Sequence, residues 1–197
     1  MPLYEVQHSM PLTASQQDDL AVAITDIHST KFTTPKMFVN VSYHDISKTV
    51  SYIGGKRRTG QNHVRAHVRV GPSRTQEHWD DLSLQVTKAW DRIIGVGLPK
   101  VKRAAPDPDT SLRSFIILGG LVGGVEAGFV LPPAGGDVKW LKENWDAFNK
   151  KAEEGDEDFV EMVREVKKRG LMEGANGFDI ENAQKRLDEE LGWGESA

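Results

Sequence analysis

The sequence predicts an α/β fold in which two β-α-β units build one four-stranded sheet with both helices on one face. Three observations lead to this prediction: two successive strand–helix–strand patterns before residue 134, an apolar stripe in each helical pattern, and a Lys-, Glu- and Asp-rich composition thereafter. A β-α-β unit places its two strands parallel in one sheet, with the helix packed across it. We therefore predict a domain over residues 1–133 and a charged amphipathic helical extension over residues 134–197.

The first unit begins directly behind Pro2 with residues 3–7, a short stretch of apolar, aromatic and β-branched residues typical of a strand. Thr13 with Gln16 three residues later matches the capping box that starts many helices. Apolar residues then recur at three- and four-residue spacing, at Leu20, Ile24 and Ile27. Residues 37–43 (MFVNVSY) are expected to form the strand that closes this unit.

The second unit repeats this order. Residues 63–70 alternate between apolar side chains and His or Arg, as expected for a strand with one buried face. Ser73 and Gln76 match a second capping box. The helical stripe that follows consists of Trp79, Leu82, Val86, Ala89 and Ile93. Residues 113–118 form the closing strand, before a predicted hairpin through Gly119, Gly120, Gly123 and Gly124.

The second face of such a sheet has no helix over it. A sheet face left uncovered in the monomer indicates an oligomer. The extension carries apolar residues at helical spacing within residues 138–151 and 159–166, and a last helix is expected near residues 180–191. We expect these helices to wrap around the domain or to cover the mouth of its functional site.

Composition narrows the function classes. The chain has 197 residues, a formal net charge of -4 and a pI near 5.9, which argues against nucleic acid or an anionic membrane as a general partner. It has no cysteine, which excludes disulfides, thiolate zinc sites and cysteine nucleophiles. The longest apolar run, residues 115–133, is interrupted by glycines and a glutamate, so we expect no membrane span. The start of the chain lacks a secretory signal pattern, and we expect a cytoplasmic protein.

Pro2 is the first residue that could take part in catalysis. Inside a chain a proline nitrogen is an amide, but at a free amino terminus it is a secondary amine that exchanges a proton. Removal of Met1, which a small second residue favours, would expose that amine. An α-amino group titrates near 7.7–8.0, and burial beside cations lowers its pKa into the range of a general base at neutral pH. Many unrelated chains begin with Met-Pro, so this dipeptide alone decides nothing.

Several segments together resemble the tautomerase superfamily, and within it the cis-3-chloroacrylic acid dehalogenase group. They are PLYEV at the start, LTASQQDDLAVAITDIH, FVNV, YIGG, HVRVGPSR and VEAGFVLP, and they span residues 2 to about 133. The resemblance implies a tautomerase-like fold of tandem β-α-β units. It also implies a homotrimer and an enzyme that needs neither a cofactor nor a metal.

The resemblance also implies roles by position. Pro2 matches the catalytic amino-terminal proline, and His28 matches a histidine that helps to bind the substrate's carboxylate. Arg69 matches the first arginine of a carboxylate clamp. Arg74 is the best match to the second, with two more residues between them than in the dehalogenase pattern. Glu126 matches the glutamate that activates water.

One position departs from the dehalogenase pattern. Phe115 stands eleven residues before Glu126, where that pattern has a tyrosine. Without the phenol, water activation loses a partner, whereas proton transfer on an enol needs only a base, a carboxylate clamp and some charge stabilisation. We count Phe115 among the substrate-binding positions, and Arg74 among both the substrate-binding and the catalytic ones.

Each of these residues has a plainer interpretation. His28 also suits a helix end, where it interacts with the helix dipole. Glu126 also suits the end of a hairpin. His63 and His67 share a strand face with Arg65, and this arginine disfavours a bound metal.

Three functions follow from this reading. The first is keto–enol tautomerisation of a 2-oxo acid such as phenylpyruvate, with Pro2 as general acid and base. The second is a cofactor-free hydratase or dehalogenase that acts on three-carbon unsaturated acids and uses Glu126 to activate water. The third is a non-enzymatic trimeric protein whose extension recruits partners. The expected ligand of either enzyme is a small carboxylate.

Overall fold

The computed structural model describes residues 1–95 and 110–172. The expected helix near residues 180–191 lies outside them. Their eight strands are β1 Leu3–His8, β2 Asn40–Asp45, β3 Ser51–Ile53, β4 Lys56–Arg58, β5 Asn62–His67, β6 Leu112–Leu118, β7 Val125–Glu126 and β8 Phe129–Val130. Their four α-helices are α1 Ala14–Phe32, α2 Gln76–Ile93, α3 Asp137–Glu153 and α4 Glu157–Arg169.

The main sheet has four strands in the order β2-β1-β5-β6. β1 and β2 are parallel, as are β5 and β6, and the two pairs meet antiparallel at the centre, where β1 lies beside β5. Each parallel pair encloses one long helix in the chain, α1 or α2. This topology confirms the predicted tandem β-α-β units.

Both helices pack on the same face of the sheet. Strand residues such as Tyr4, Val6, Val64 and Ala66 point towards the helices and are fully buried. The helix side of this core consists mainly of Leu20, Ala23, Ile24, Ile27, Leu82, Val86, Ala89 and Trp90. The residues between them on the central strands, among them Glu5, His63, Arg65 and His67, lie on the other face and are half-buried or exposed.

Local hydrogen bonds confirm the predicted start of α1, and they show that α2 starts two residues later than predicted. The Thr13–Gln16 capping box is present at α1. At α2 the cap is Thr75, whose side chain accepts from the backbone N–H of His78, and not the predicted Ser73. Ser73 instead lies in a turn in which the backbone N–H of Arg74 bonds the carbonyl of Gly71.

Two other boundaries differ from the prediction. Residues 36–38 form a 3₁₀ turn behind Pro35, so the strand expected over residues 37–43 begins at Asn40. The hairpin expected at residues 119–124 lies at residues 125–130 instead. Its turn uses Ala127 and Gly128, with φ of 51° and 90°. Positive φ angles at both central residues are typical of a two-residue hairpin turn. The glycine pairs before it lie outside strands and therefore do not connect a hairpin.

The extension forms a hydrophobic cluster of its own. The buried side chains of this cluster are seven from α3 and α4, together with Phe38 of the 3₁₀ turn and Leu171 just after α4. The seven are Trp140, Leu141, Phe148, Phe159, Met162, Val163 and Val166. Arg169 at the end of α4 also donates from Nη1 to the Ser29 hydroxyl (2.6 Å), which ties the extension to α1. No helix within residues 1–95 and 110–172 has the length and apolar character needed to cross a bilayer.

Candidate active site

The amino terminus lies at the centre of the sheet. Pro2 is buried, and its carbonyl oxygen accepts a hydrogen bond from the backbone N–H of Asn40 at 3.1 Å. β1, which starts one residue later, is one of the two inner strands. The first residues of the chain are therefore held between β2 and β5 and do not extend into water.

The antiparallel pairing of β1 with β5 brings Arg69 to the amino terminus. Leu3 pairs with His67, so the end of β5 lies beside the start of β1. Arg69 follows two residues after the strand ends and is only 5% exposed. The predicted strand was longer, but the strand pairing still carries this arginine to the expected place.

Arg74 joins Arg69 through the turn before α2. Its Nη1 donates to the backbone carbonyl of Arg69 at 3.0 Å, and its guanidinium lies over the ring of Phe32, 4.3 Å from the centroid. A cation over an aromatic face is held electrostatically. The two residues inserted relative to the dehalogenase pattern form part of this turn and still leave both arginines side by side.

A carboxylate from the extension lies between the two arginines. Arg69 Nη2 donates to Asp137 Oδ1 at 2.9 Å, and Arg74 Nη2 lies 3.7 Å from Asp137 Oδ2. Arg69 Nη1 also donates to the carbonyl of Pro132. Asp137 is 5% exposed, so the ion pairs are shielded from solvent.

His28 lies close to this cluster as a neutral imidazole. It is 1% exposed, and burial, followed by the positive charges of Arg74, the amino terminus and Arg69, lowers the pKa of His28 well below 6.5. Its Nδ1 shares a hydrogen bond of 2.7 Å with the hydroxyl of Tyr4. With the Tyr4 hydroxyl as the donor, the proton of the neutral ring lies on Nε2, and His28 supplies no positive charge.

Phe115 lies behind Tyr4. The two rings stack with centroids 6.4 Å apart and planes 28° from parallel. Phe115 thus faces the helices, on the same side of the sheet as the Tyr4 phenol. The phenol that the dehalogenase pattern has at position 115 is absent, and the phenol that bonds His28 is that of Tyr4.

Glu126 is held beside the amino terminus by Asn40. The side chain of Asn40 donates to Oε1 of Glu126 at 2.9 Å. The other oxygen, Oε2, is buried and has no hydrogen-bond partner within residues 1–95 and 110–172. Burial raises the pKa of Glu126, and the Asn40 hydrogen bond and the nearby positive charges only partly oppose this effect.

These groups shift the proton affinity of the terminal amine. The structure contains Met1, and burial together with Arg69 lowers the pKa of its amino group from 8.0 to about 6. Glu126 and Asp137 act in the opposite direction. An amine in these surroundings is uncharged over much of the neutral range, which is the form that accepts a proton.

The cluster unites most of the predicted site residues, and it adds three that sequence reasoning missed. Tyr4 could have been found, because it lies two positions after Pro2 in a strand and so faces the same way. Asn40 and Asp137 offered no local signal, since both reach the site only through tertiary packing. The two histidines considered for a metal, His63 and His67, lie on the opposite face of the sheet, where they contact Ser114 and Glu5. No grouping of His, Asp and Glu in the described residues could hold a metal ion.

Comparisons with known proteins agree with this architecture. A family model described as "Putative oxalocrotonate tautomerase enzyme" matches residues 1–103. No curated protein matches the chain. Among solved structures, N1, a member of the cis-3-chloroacrylic acid dehalogenase family, superposes with a TM-score of 0.56 at 20% identity, over 77% of this chain and 99% of its own. At that identity the likeness shows a shared fold.

Two further structures are more distant. A fused wild-type 4-OT asymmetric trimer is 15% identical over 65% of this chain and 94% of its own, with a TM-score of 0.48. MIF2 from Leishmania major is 17% identical over 66% of this chain and 97% of its own, with a TM-score of 0.44.

Proposed function

This chain belongs to the tautomerase family whose model matches residues 1–103, and from that premise we propose that it interconverts the enol and keto forms of a 2-oxo acid such as phenylpyruvate. In this proposal the amine of Pro2, free after loss of Met1, is the general acid and base. The observation that carries the proposal is the buried position of residue 2 beside two buried arginines.

The proposed reaction needs one proton to move. The arginine pair, Arg69 and Arg74, binds the substrate's carboxylate, because a planar guanidinium matches a carboxylate in two-point geometry. The uncharged Pro2 amine accepts the proton of the enol hydroxyl at C2. It then donates a proton to C3 as the C2=C3 double bond is lost and the C2=O bond forms, so the amine returns to its starting state. His28 donates a hydrogen bond to a substrate oxygen from Nε2.

The pH dependence of the reaction tests this assignment. Because the catalytic amine must start unprotonated, kcat/KM for ketonisation of phenylpyruvate enol should fall as the pH decreases through the pKa of Pro2. Burial and Arg69 lower the pKa of the Met1 amine. Since Pro2 is buried at the same place, the midpoint for its amine should lie below the ordinary α-amino range of about 7.7–8.0. A stopped-flow profile between pH 5 and 9 measures it. A midpoint within the ordinary range, or a flat profile, would contradict a buried amine as the base.

We also propose that the protein is a homotrimer that buries the uncovered face of its sheet. That face carries exposed Ile116 and Leu118 next to charged and polar residues of β1 and β5. A partly apolar face of this kind is typical of a surface that pairs with another subunit.

A second candidate function rests on Glu126. Its Oε2 is buried without a hydrogen-bond partner in the described part of the chain, and its pKa is raised, which suits a base that activates water. This candidate is hydration or dehalogenation of a three-carbon unsaturated acid. Phe115 weighs against it, because no phenol at that position polarises the water.

Substitution of Glu126 by glutamine separates the two functions. If tautomerisation is the function, E126Q should keep kcat/KM for phenylpyruvate within about tenfold, a change of at most about 1.4 kcal/mol. The native protein should then release no halide from cis-3-chloroacrylate. Halide release by the native protein that E126Q abolishes would instead identify the dehalogenase function.

A further inference from the structure

The arginine pair that is proposed to bind the substrate already binds a carboxylate of the same chain. Asp137 forms a 2.9 Å hydrogen-bonded ion pair with Arg69 and lies 3.7 Å from Arg74. An acidic residue in the first turn of a helix is common, because it complements the helix dipole. That general preference does not account for the burial of Asp137 or for its contact with both arginines.

The start of α3 is fitted closely against the arginine turn. Gly135 has a φ of +81°, and a Cβ there would lie 2.4 Å from the hydroxyl oxygen of Ser73. A Cβ on Gly71 would lie 3.0 Å from that of Ala134. Because Gly71 and Gly135 have no side chain, the backbone of residues 134–136 can approach that of residues 71–74. The position of Asp137 is therefore set by the packing of residues 134–136 against residues 71–74.

The internal ion pair is incomplete. Asp137 Oδ2 is buried, lies beyond hydrogen-bond distance of Arg74, and has no hydrogen-bond partner within residues 1–95 and 110–172. A buried acceptor without a donor costs free energy. A mobile acid, free of the constraint that α3 places on Asp137, can bond both guanidinium groups and satisfy both of its oxygens.

A cavity beside Arg74 and Asp137 gives such an acid room. It measures about 240 Å³ and is bounded by the end of α1, the turn before α2 and the start of α3. Phe32 forms an apolar wall, and Arg74, His78 and Asp137 contribute polar groups. The cavity thus borders Asp137 and Arg74 where α3 begins, and an acid entering it meets Arg74 before Arg69.

We propose that Asp137 is an internal competitor for the carboxylate of the substrate, so that an acid binds Arg69 and Arg74 only when the first turn of α3 withdraws. The inference rests on the proposed function in one respect, that the arginine pair is where the substrate's acid binds. It makes the extension a gate of the site, and it makes Asp137 a determinant of affinity for carboxylates.

A binding measurement tests the competition without relying on catalysis. The probe is 3-phenylpropanoate, which has a carboxylate and a phenyl ring but no keto group to react, titrated calorimetrically into the full chain. D137N should bind it at least about tenfold more tightly than the native protein, equivalent to about 1.4 kcal/mol. D146N, which removes a negative charge from an exposed position of the same helix, should bind like the native protein.

Weaker or unchanged binding by D137N would overturn the proposal, since a residue that merely positions the arginines would lower affinity when replaced. Failure of both proteins to bind millimolar probe would also overturn it, because no acid would then reach the arginines. Tighter binding by D137N, together with no tautomerase activity of the native protein, would leave the competition standing and contradict only the proposed reaction.

Hydrogen exchange of the native protein provides a second test that requires no variant. The backbone N–H of Trp140 bonds the carbonyl of Gly136 in the first turn of α3. Saturating 3-phenylpropanoate should accelerate exchange at Trp140 while α4 keeps its protection. Unchanged or slower exchange at Trp140 in the saturated protein would show that the acid binds without displacing α3, and the proposal would be wrong.

Discussion

Replacement of Arg69 by glutamine should lower kcat/KM for phenylpyruvate about a hundredfold or more, chiefly through a higher KM. Truncating one partner of a buried, hydrogen-bonded charge pair costs about 2–5 kcal/mol, and Arg69 is 5% exposed beside the amino terminus. Arg69 also lowers the pKa of the Met1 amine. Without this cation beside the Pro2 amine, the acidic limb of the pH profile should move to higher pH.

The control for this variant is R164Q, because Arg164 is an exposed arginine on α4, away from the cluster. Arg69 also pairs with Asp137, and loss of one partner of a buried ion pair destabilises a protein. Thermal melting of R69Q therefore defines the temperature range in which the variant is folded and can be assayed. A kcat/KM within threefold of the native value in that range would remove Arg69 from the substrate site.

Much of the fold could be predicted because its signals are local. The alternation of residues 63–67 and the capping box at Thr13 are patterns within a few residues, and both are present in the structure. The order of strand, helix and strand then leaves few possible topologies. The uncovered face of the sheet could also be predicted, because two helices packed on one face leave none for the other.

The predictions that were wrong concern choices between neighbouring signals. Ser73 and Thr75 are equally good caps in isolation, and the turn that bonds Arg74 to Gly71 decides between them. The glycine pairs at 119–124 suggested a hairpin turn, but the turn formed at Ala127 and Gly128 because β7 and β8 pair around it. A turn settles the first choice and a strand pairing settles the second.

The site residues also fall into those that the sequence could predict and those that it could not. Pro2, Arg69 and Glu126 could be named from the sequence because the resemblance to a family assigns roles by position. Asp137 lies outside the segments that carry the resemblance, and it meets Arg69 only because α3 packs against the turn before α2. A contact between residues 68 positions apart leaves no trace in a single sequence.

The largest loss of activity should follow from blocking the amine of Pro2. A chain with glycine in place of Met1, released from a fusion, turns the nitrogen of Pro2 into an amide. General acid–base catalysis contributes about 10²–10⁴-fold, and this is the expected fall in kcat/KM. The glycine amine would lie one residue away, where misplacement of even about 1 Å can cost about a hundredfold.

The matched control is the same fusion cleaved directly before Pro2, so the two proteins differ by one residue at the terminus. Intact mass identifies the first residue of each sample, and the same samples are assayed with phenylpyruvate enol. We expect the activity to scale with the fraction of chains that begin at Pro2. Equal ketonisation rates for the two samples would contradict catalysis by the proline amine and would favour a non-enzymatic role.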